Sequence, residues 1–343
     1  MLPPNGLHPS FVKLPPDRGG QSDQPLLDVR DLRVEYLTTR GPVKAVDGVS
    51  FVIKPGEIVG LAGESGSGKS TIAHAILRIL RPPALITGGQ VLFAGRDVLE
   101  MGESELEQFR WQSISIVFQS AMNALNPVMR IRDQILDVMQ YHGISKSEAK
   151  EKAEHLFNLV GIDPRRLDTY PHQLSGGMRQ RAVIAIALAL IPPMLILDEP
   201  TTALDVVVQK DILQQIADLK EKLGFSILFI THDLSLLVEF STHIAIMYAG
   251  EIVEKAPARE LFDNPLHPYT LGLMNSFPSI SGEKHKLTGI PGSPPDLVSP
   301  PSGCRFHPRC PKVMPICSQV APVTQWMTAN HTVACHLHDE KRS

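Results

Sequence analysis

Apolar positions follow two rhythms along much of this chain. Near the start they alternate with polar ones, in Leu27-Asp28-Val29-Arg30, Val49-Ser50-Phe51-Val52-Ile53 and Gln90-Val91-Leu92-Phe93. A period of two predicts half-buried strands, and these three predict an antiparallel layer. Elsewhere short runs are apolar throughout: Ile58-Val59-Gly60-Leu61-Ala62, Leu195-Ile196-Leu197 and Ile227-Leu228-Phe229-Ile230. Such runs suit parallel strands covered on both faces. Each leads into a polar motif, as expected where ligands bind at the carboxyl ends of strands in an α/β sheet. From Glu103 to Val160 the rhythm turns helical. Ser145-Lys146-Ser147-Glu148 reads as a capping box, Ala149, Ala153, Leu156, Phe157 and Val160 form one stripe, and Gly161 ends the helix. The longest apolar run, Ala182 to Leu197, is broken by Pro192-Pro193 and is shorter than a membrane span requires. It predicts a buried helix, a turn and a buried strand.

Composition sets the scale. At 343 residues and 43% hydrophobic, the chain can bury one large core and a smaller appendage. A formal charge of −3 and a pI near 6.5 give no global basic field, so nucleic acid is not an expected partner. No basic stretch followed by an apolar segment opens the chain, so no secretory signal is expected. Residues 1–25 are rich in Pro, Gly and polar residues and read as a mobile tail. Proline density rises again after Pro257. The expected division is a main unit over 26–255, containing a helical part at about 103–191, and a loop-rich extension over 256–343.

The chemistry is concentrated in two glycine-rich segments. Gly63-Glu64-Ser65-Gly66-Ser67-Gly68-Lys69-Ser70 fits the P-loop pattern, with a buried strand before it and a helix predicted from Lys69 to about Leu80, where Pro82-Pro83 stops it. The glycines let backbone N–H groups close on a β-phosphate at a helix N-terminus. Lys69 would neutralise the β/γ oxygens and the Ser70 hydroxyl would ligate Mg²⁺. Asp198 and Glu199 end an apolar strand, the first suited to an outer hold on Mg²⁺ and the second to polarising the attacking water. Ser175-Gly176-Gly177 opens a helix predicted over about 178–191 and forms a second anion-binding end. One nucleotide needs one phosphate cradle, so two cradles with a single carboxylate pair point to a shared site.

In order, Gly63–Ser70, Gln119, Leu174-Ser175-Gly176-Gly177-Met178, Leu195–Glu199, Ala203-Leu204-Asp205 and His232 make residues 26 to about 255 resemble the nucleotide-binding domain of an ABC ATPase. The resemblance implies an α/β fold with a RecA-like P-loop core, an antiparallel β layer and a helical subdomain. It implies a cradle of Gly63, Glu64, Ser65, Gly66, Ser67, Gly68, Lys69, Ser70 and Thr71, with Tyr36 as the adenine-stacking aromatic. Gln119 matches the loop that senses Mg²⁺ and the γ-phosphate, Asp205 the D-loop and His232 the switch histidine. In that family two domains face each other head to tail, and ATP lies between one P-loop and the other domain's Ser-Gly-Gly. The expected partner is therefore a second ABC ATPase subunit, a copy or a paralogue.

Asn123-Ala124-Leu125-Asn126-Pro127, Asn264-Pro265-Leu266-His267-Pro268-Tyr269-Thr270 and the stretch from Gly303 to Cys317 resemble ATP-binding subunits of dipeptide and oligopeptide importers. That resemblance implies ATP-driven uptake through two permease subunits at the cytoplasmic face of the cell membrane. An external solute-binding protein would deliver the cargo, and relatives in the group also carry oligosaccharides or nickel. Coupling to the permeases would fall at about 119–170. The alternative of another class is a soluble ABC ATPase acting on DNA or ribosomes, which usually shows tandem cassettes, a long coiled coil or basic surfaces. Cys304, Cys310, Cys317 and Cys335 have five, six and seventeen residues between neighbours, which is neither the common zinc knuckle nor the bacterial ferredoxin run. Four thiols in a proline-stiffened segment suit a metal staple. Some members of the resembled group carry a 4Fe–4S cluster on such cysteines; zinc and plain reduced thiols stay open. His307, His331, His336 and His338 nearby read more readily as polar surface than as ligands.

Overall fold

The computed structural model describes residues 24–119, 124–202, 204–276 and 289–339. Residues 1–23 of the segment read as a tail and Asn123 of the Asn-Ala-Leu-Asn-Pro stretch lie outside them, as does Ala203. The chain opens with β1 (Leu27–Thr38) and β2 (Gly41–Ile53), then β3 (Ile58–Ala62), α1 (Lys69–Ile76), β4 (Ala84–Phe93) and β5 (Arg96–Asp97). The helical stretch follows as α2 (Glu103–Gln112), strand β6 (Ile114–Val117), α3 (Ile131–Tyr141), α4 (Lys146–Leu159) and α5 (Gly176–Ala187). Next come β7 (Met194–Asp198), α6 (Val206–Leu223), β8 (Ser226–Ile230), α7 (Leu234–Phe240), β9 (His243–Tyr248) and β10 (Glu251–Pro257). The C-terminal part adds α8 (Ala258–Asp263), α9 (Pro268–Asn275), β11 (Gln325–Trp326) and β12 (Thr332–Val333).

Two sheets result. Strands β2-β1-β4-β5 form the expected antiparallel layer, and the larger sheet runs β11-β12-β10-β9-β3-β8-β7-β6. Within it β9, β3, β8, β7 and β6 are parallel. Strands β3, β7 and β8, apolar but for Asp198 and Ser226 at their ends, are buried along their whole length. Their continuous hydrophobicity still obeys a period of two. Leu195, Leu197, Ile227 and Phe229 pack into a core shared with the helical part, whereas Ile196, Leu228 and Ile230 pack against the antiparallel layer. One sheet thus separates two cores, and its strand ends deliver the polar motifs to one edge.

Two helices stop before the pattern predicts. Helix α1 ends at Ile76, not near Leu80, because Arg78 turns left-handed at φ 49° and Ile79 N–H reaches back to His74 O. The Arg78 guanidinium donates to the carbonyls of Val98 and Met101, which offsets the strained backbone of a non-glycine residue there. Helix α5 starts at Gly176 and ends at Ala187, with Ile191 left-handed at φ 50° before the prolines. Helix α4 keeps half of its predicted capping box: Ser145 accepts from Glu148 N–H, but the Glu148 carboxylate pairs with Lys152 instead of reaching back, and Gly161 follows the end at φ 66°.

The C-terminal stretch is loop-rich, as its prolines indicate, but it is built into the main sheet. Strand β12 pairs with β10, Glu254 opposite Val333. Beneath this seam Glu254, 1% exposed, accepts hydrogen bonds from Leu266 N–H and His267 N–H at 2.7 and 2.9 Å. Its Oε1 lies 2.8 Å from His331 Nε2, and His331 Nδ1 lies 3.1 Å from Glu260. His331 is also 1% exposed, which corrects its reading as a surface residue; buried His336 needs the same correction. Burial alone would lower the His331 pKa, but Glu254 and Glu260 outweigh it and raise the value above the ordinary 6.5. A histidine raised on folding stabilises fully below that ordinary value and ceases to as pH climbs through the raised one. Docking of the extension is therefore expected to weaken with rising pH above about 6.5. His331→Ala should remove the dependence and destabilise by about 3 kcal/mol, because it takes the ionic partner from the buried Glu254 carboxylate and leaves it only the two backbone N–H groups. Thermal melts across pH, paired with limited proteolysis of the extension, would show both effects.

Candidate functional site: a P-loop nucleotide cradle

At two of its turning points the loop between β3 and α1 has no room for a side chain. Gly63 sits at φ 152° and Gly68 at φ 104°, and a Cβ there would come within 2.1 Å of Met247 O and 2.0 Å of Ala45 O. These two glycines let the loop fold against β9 and β2. Lys69 Nζ folds back to donate to Gly63 O and Glu64 O, both at 2.8 Å, and lies 3.3 Å from Ser67 Oγ. Burial lowers the Lys69 pKa, partly countered by Glu199, Asp198 and Glu64. The ammonium thus lies inside the loop, placed to turn from carbonyls to phosphate oxygens.

Ser70 Oγ donates to Asp198 Oδ1 at 3.0 Å, which joins the start of α1 to the end of β7. Burial raises the Asp198 pKa, and the Ser70 hydrogen bond opposes the shift. Glu199 lies just beyond, left-handed at φ 47°, with its N–H held by Ile230 O at 2.8 Å. A non-glycine residue in that conformation is strained, and here it aims a carboxylate into the site. Glu199 Oε2 accepts from Gln119 Nε2 at 2.8 Å and from Thr202 Oγ1 at 3.1 Å; Oε1 lies 3.3 Å from His232 Nδ1. Residues 119, 199 and 232, ends of three strands, thus meet at one carboxylate.

The cleft over this cluster is lined by Ser65, Gly66, Gly68, Lys69, Ser70, Thr71, Gln119 and Glu199, with Tyr36, Val43, Ala45 and Leu297 supplying apolar surface. Tyr36 Oη is 3.2 Å from Thr71 Oγ1, so its ring stands beside the loop. The oxygen donors of Ser70, Asp198 and Gln119 are the kind a hard divalent cation takes, and they sit at the cradle mouth where Mg²⁺ would bridge phosphates. Ser175, Gly176, Gly177 and Asp205 do not line this cleft. Ser175 caps α5 by accepting from Met178 N–H at 3.3 Å. Asp205 caps α6 by accepting from Val207 and Val208 N–H at 3.1 and 3.0 Å.

Sequence reasoning missed three contributors from the C-terminal part. Glu64 N–H donates to Tyr269 Oη at 2.9 Å, the Glu64 carboxylate pairs with Arg309, and Leu297 enters the cleft wall. Nothing local in sequence marks them, since their partners lie more than two hundred residues away. The four cysteines are free thiols lining one small cavity with His267, Phe306, His307 and His336. Burial raises the pKa of Cys304 and Cys335 to about 11 and also raises that of Cys310. Among the described residues no three His, Cys, Asp or Glu side chains stand at metal-ligating spacing. Among the same residues no helix is long and apolar enough to cross a membrane.

A strand–P-loop–helix cradle facing a Gln-Glu-His cluster, with the Ser-Gly-Gly helix end outside the cleft, defines the ABC class of ATPase. The ABC transporter family profile matches residues 46–202, and the profile for the oligopeptide/dipeptide transporter C-terminal region matches 253–317. The dipeptide transport ATP-binding protein DppD of Caldanaerobacter subterraneus subsp. tengcongensis is 44% identical over 92% of this chain and 98% of its own length. The oligopeptide transport ATP-binding protein OppD of Salmonella typhimurium is 43% identical over 88% and 92%. A dimeric bacterial ABC transporter cassette, MJ0796, superposes with a TM-score of 0.61 at 29% identity, covering 68% of this chain and 99% of that one. A second structure of that cassette, in a post-hydrolysis state with ADP and Pi, matches equally well. The chain belongs to the ABC transporter ATPase family, in the branch defined by the oligopeptide/dipeptide C-terminal region.

Proposed function

We propose that this protein is the ATP-hydrolysing motor subunit of a peptide importer. It would bind to two permease subunits at the cytoplasmic face of the membrane and pair head to tail with a second ATPase subunit. The observation that carries the reading is the joint presence of an intact Gln119-Glu199-His232 cluster over the cradle and a peptide-transporter C-terminal region at 253–317. In each half-site Lys69 and the loop N–H groups would hold phosphates, and Ser70 with Asp198 would hold Mg²⁺. Glu199 would orient and deprotonate water, and His232 would hold the Glu199 geometry as phosphate charge develops. The partner's Ser-Gly-Gly helix end would close the site, so an isolated copy should turn over slowly.

Di- and oligopeptides are the cargo class favoured by the relatives' names, ahead of oligosaccharides and nickel. The cargo would be delivered by a solute-binding protein and never touch this chain. A groove lined by Trp111, Phe118, Leu125, Met129 and Val138 supports permease docking near 119–170. Tagged protein isolated from its native membrane should bring down two permeases; recovery with ribosomes or DNA instead would sink the transport reading.

The four thiols lining one cavity support a metal staple there, a 4Fe–4S cluster first, ahead of plain reduced thiols and then zinc. Bound metal would hold them as thiolates, reversing the effect of burial. Iron and acid-labile sulfide should both be found in protein purified without oxygen. Well-folded material free of both would end the cluster proposal.

A further inference from the structure

The C-terminal extension reaches the nucleotide site at two points. Arg309 Nη1 and Nη2 donate to Glu64 Oε2 and Oε1 at 2.7 and 2.9 Å, a two-pronged pair with the Arg309 side chain only 6% exposed. The guanidinium is fixed in turn by Pro291 O at 2.8 Å and by Tyr248 Oη at 3.3 Å. Tyr269, packed 4.5 Å from the Tyr248 ring, accepts the Glu64 N–H. Glu64 is therefore held at both its side chain and its backbone by the extension, and its carbonyl is one of the two that receive Lys69. At the second point Leu297 O accepts from Lys44 N–H at 3.1 Å, and the Leu297 side chain joins Tyr36, Val43 and Ala45 in the cleft wall.

We propose that the extension forms part of the nucleotide site: Arg309 is a positioning residue that sets the P-loop through Glu64, and Leu297 is a contact for the base or ribose. A phosphate cradle works only if its N–H donors are held in place before the phosphates arrive. Six of the loop's eight residues are Gly or Ser and give it little rigidity of their own. The planar Arg–carboxylate pair supplies it, and a lysine cannot reproduce two parallel hydrogen bonds. The inference rests on the cradle being a nucleotide site.

The two contacts predict different signatures, measured on the full-length protein as equilibrium binding of a fluorescent ATP analogue and of tripolyphosphate, both with Mg²⁺. Arg309→Gln should weaken both ligands alike, by roughly tenfold, the share of a charge-assisted pair expected to reach the loop. Leu297→Ala should weaken the ATP analogue several-fold and leave tripolyphosphate unchanged. Glu64→Gln combined with Arg309→Gln should bind no worse than the weaker single variant, because both act through one contact. Wild-type tripolyphosphate affinity in Arg309→Gln, or losses that multiply in the double variant, would overturn the positioning role. Equal loss of both ligands in Leu297→Ala would overturn the base-side contact. Should Arg309→Gln fail to fold, Glu64→Gln gives the same reading, since it breaks the pair from the loop side. None of these binding results depends on hydrolysis, so they separate this inference from the catalytic assignment.

Discussion

Glu199→Gln should lower ATP turnover by roughly 10²–10⁴-fold and leave nucleotide affinity near that of the unchanged protein. The size follows from removing the base alone. An amide has the shape of the carboxylate, and its oxygen can still accept from Gln119 Nε2 and Thr202 Oγ1. It cannot take a proton from water. Phosphate binding rests on Lys69, Ser70 and the loop backbone, none of which is bonded to Glu199. Nucleotide should therefore stay bound and keep the two subunits closed. Phosphate release at saturating ATP, set beside direct binding, checks both halves. Turnover equal to wild type would remove Glu199 from the catalytic assignment.

Much of this site was legible in sequence because backbone geometry dictates residue type. Gly63 and Gly68 are legible since any Cβ would strike a neighbouring carbonyl. The parallel strands are legible because burial on both faces leaves polar residues only at their ends, Asp198 on β7 and Ser226 on β8. The Ser70–Asp198 and Glu199–His232 contacts, 128 and 33 residues apart, became readable only through the order of motifs. Where sequence reading stopped short, the cause was tertiary. The apolar residues up to Leu80 continue the helical pattern past Ile76, but Arg78 finds carbonyl partners near 98–101 that favour ending the helix. A lone histidine reads as surface, yet His331 is buried because Glu254, 77 residues back, waits on the next strand. Strands β11 and β12 are two residues each and take their register from the open edge of β10. Arg309 and Tyr269 act on the P-loop from 245 and 205 residues away, and no local pattern encodes that.

Ser175→Arg should leave this chain's own nucleotide affinity intact and still cut turnover by about 10²–10³-fold in a pair whose two subunits both carry the equivalent change. The separation is geometric. Ser175 caps α5 and lies outside the cleft that holds Lys69 and Ser70, so the change does not touch the cradle. What it blocks is the helix end offered to another subunit's phosphates, with its exposed N–H groups and favourable dipole. If the site is divided between two chains, the damage must appear in the partner's nucleotide and only after pairing. A partner carrying an intact Ser-Gly-Gly would still serve this chain's P-loop, so a mixed pair should keep one working site. Combining Ser175→Arg with Glu199→Gln in one subunit, opposite an unaltered one, distinguishes the arrangements. In a head-to-tail pair each lesion falls in a different site, and both sites fail. In a self-contained subunit both lesions fall in the same site, and the unaltered partner turns over normally. Phosphate release by that mixed pair therefore decides whether the two glycine-rich segments belong to one catalytic centre or to two.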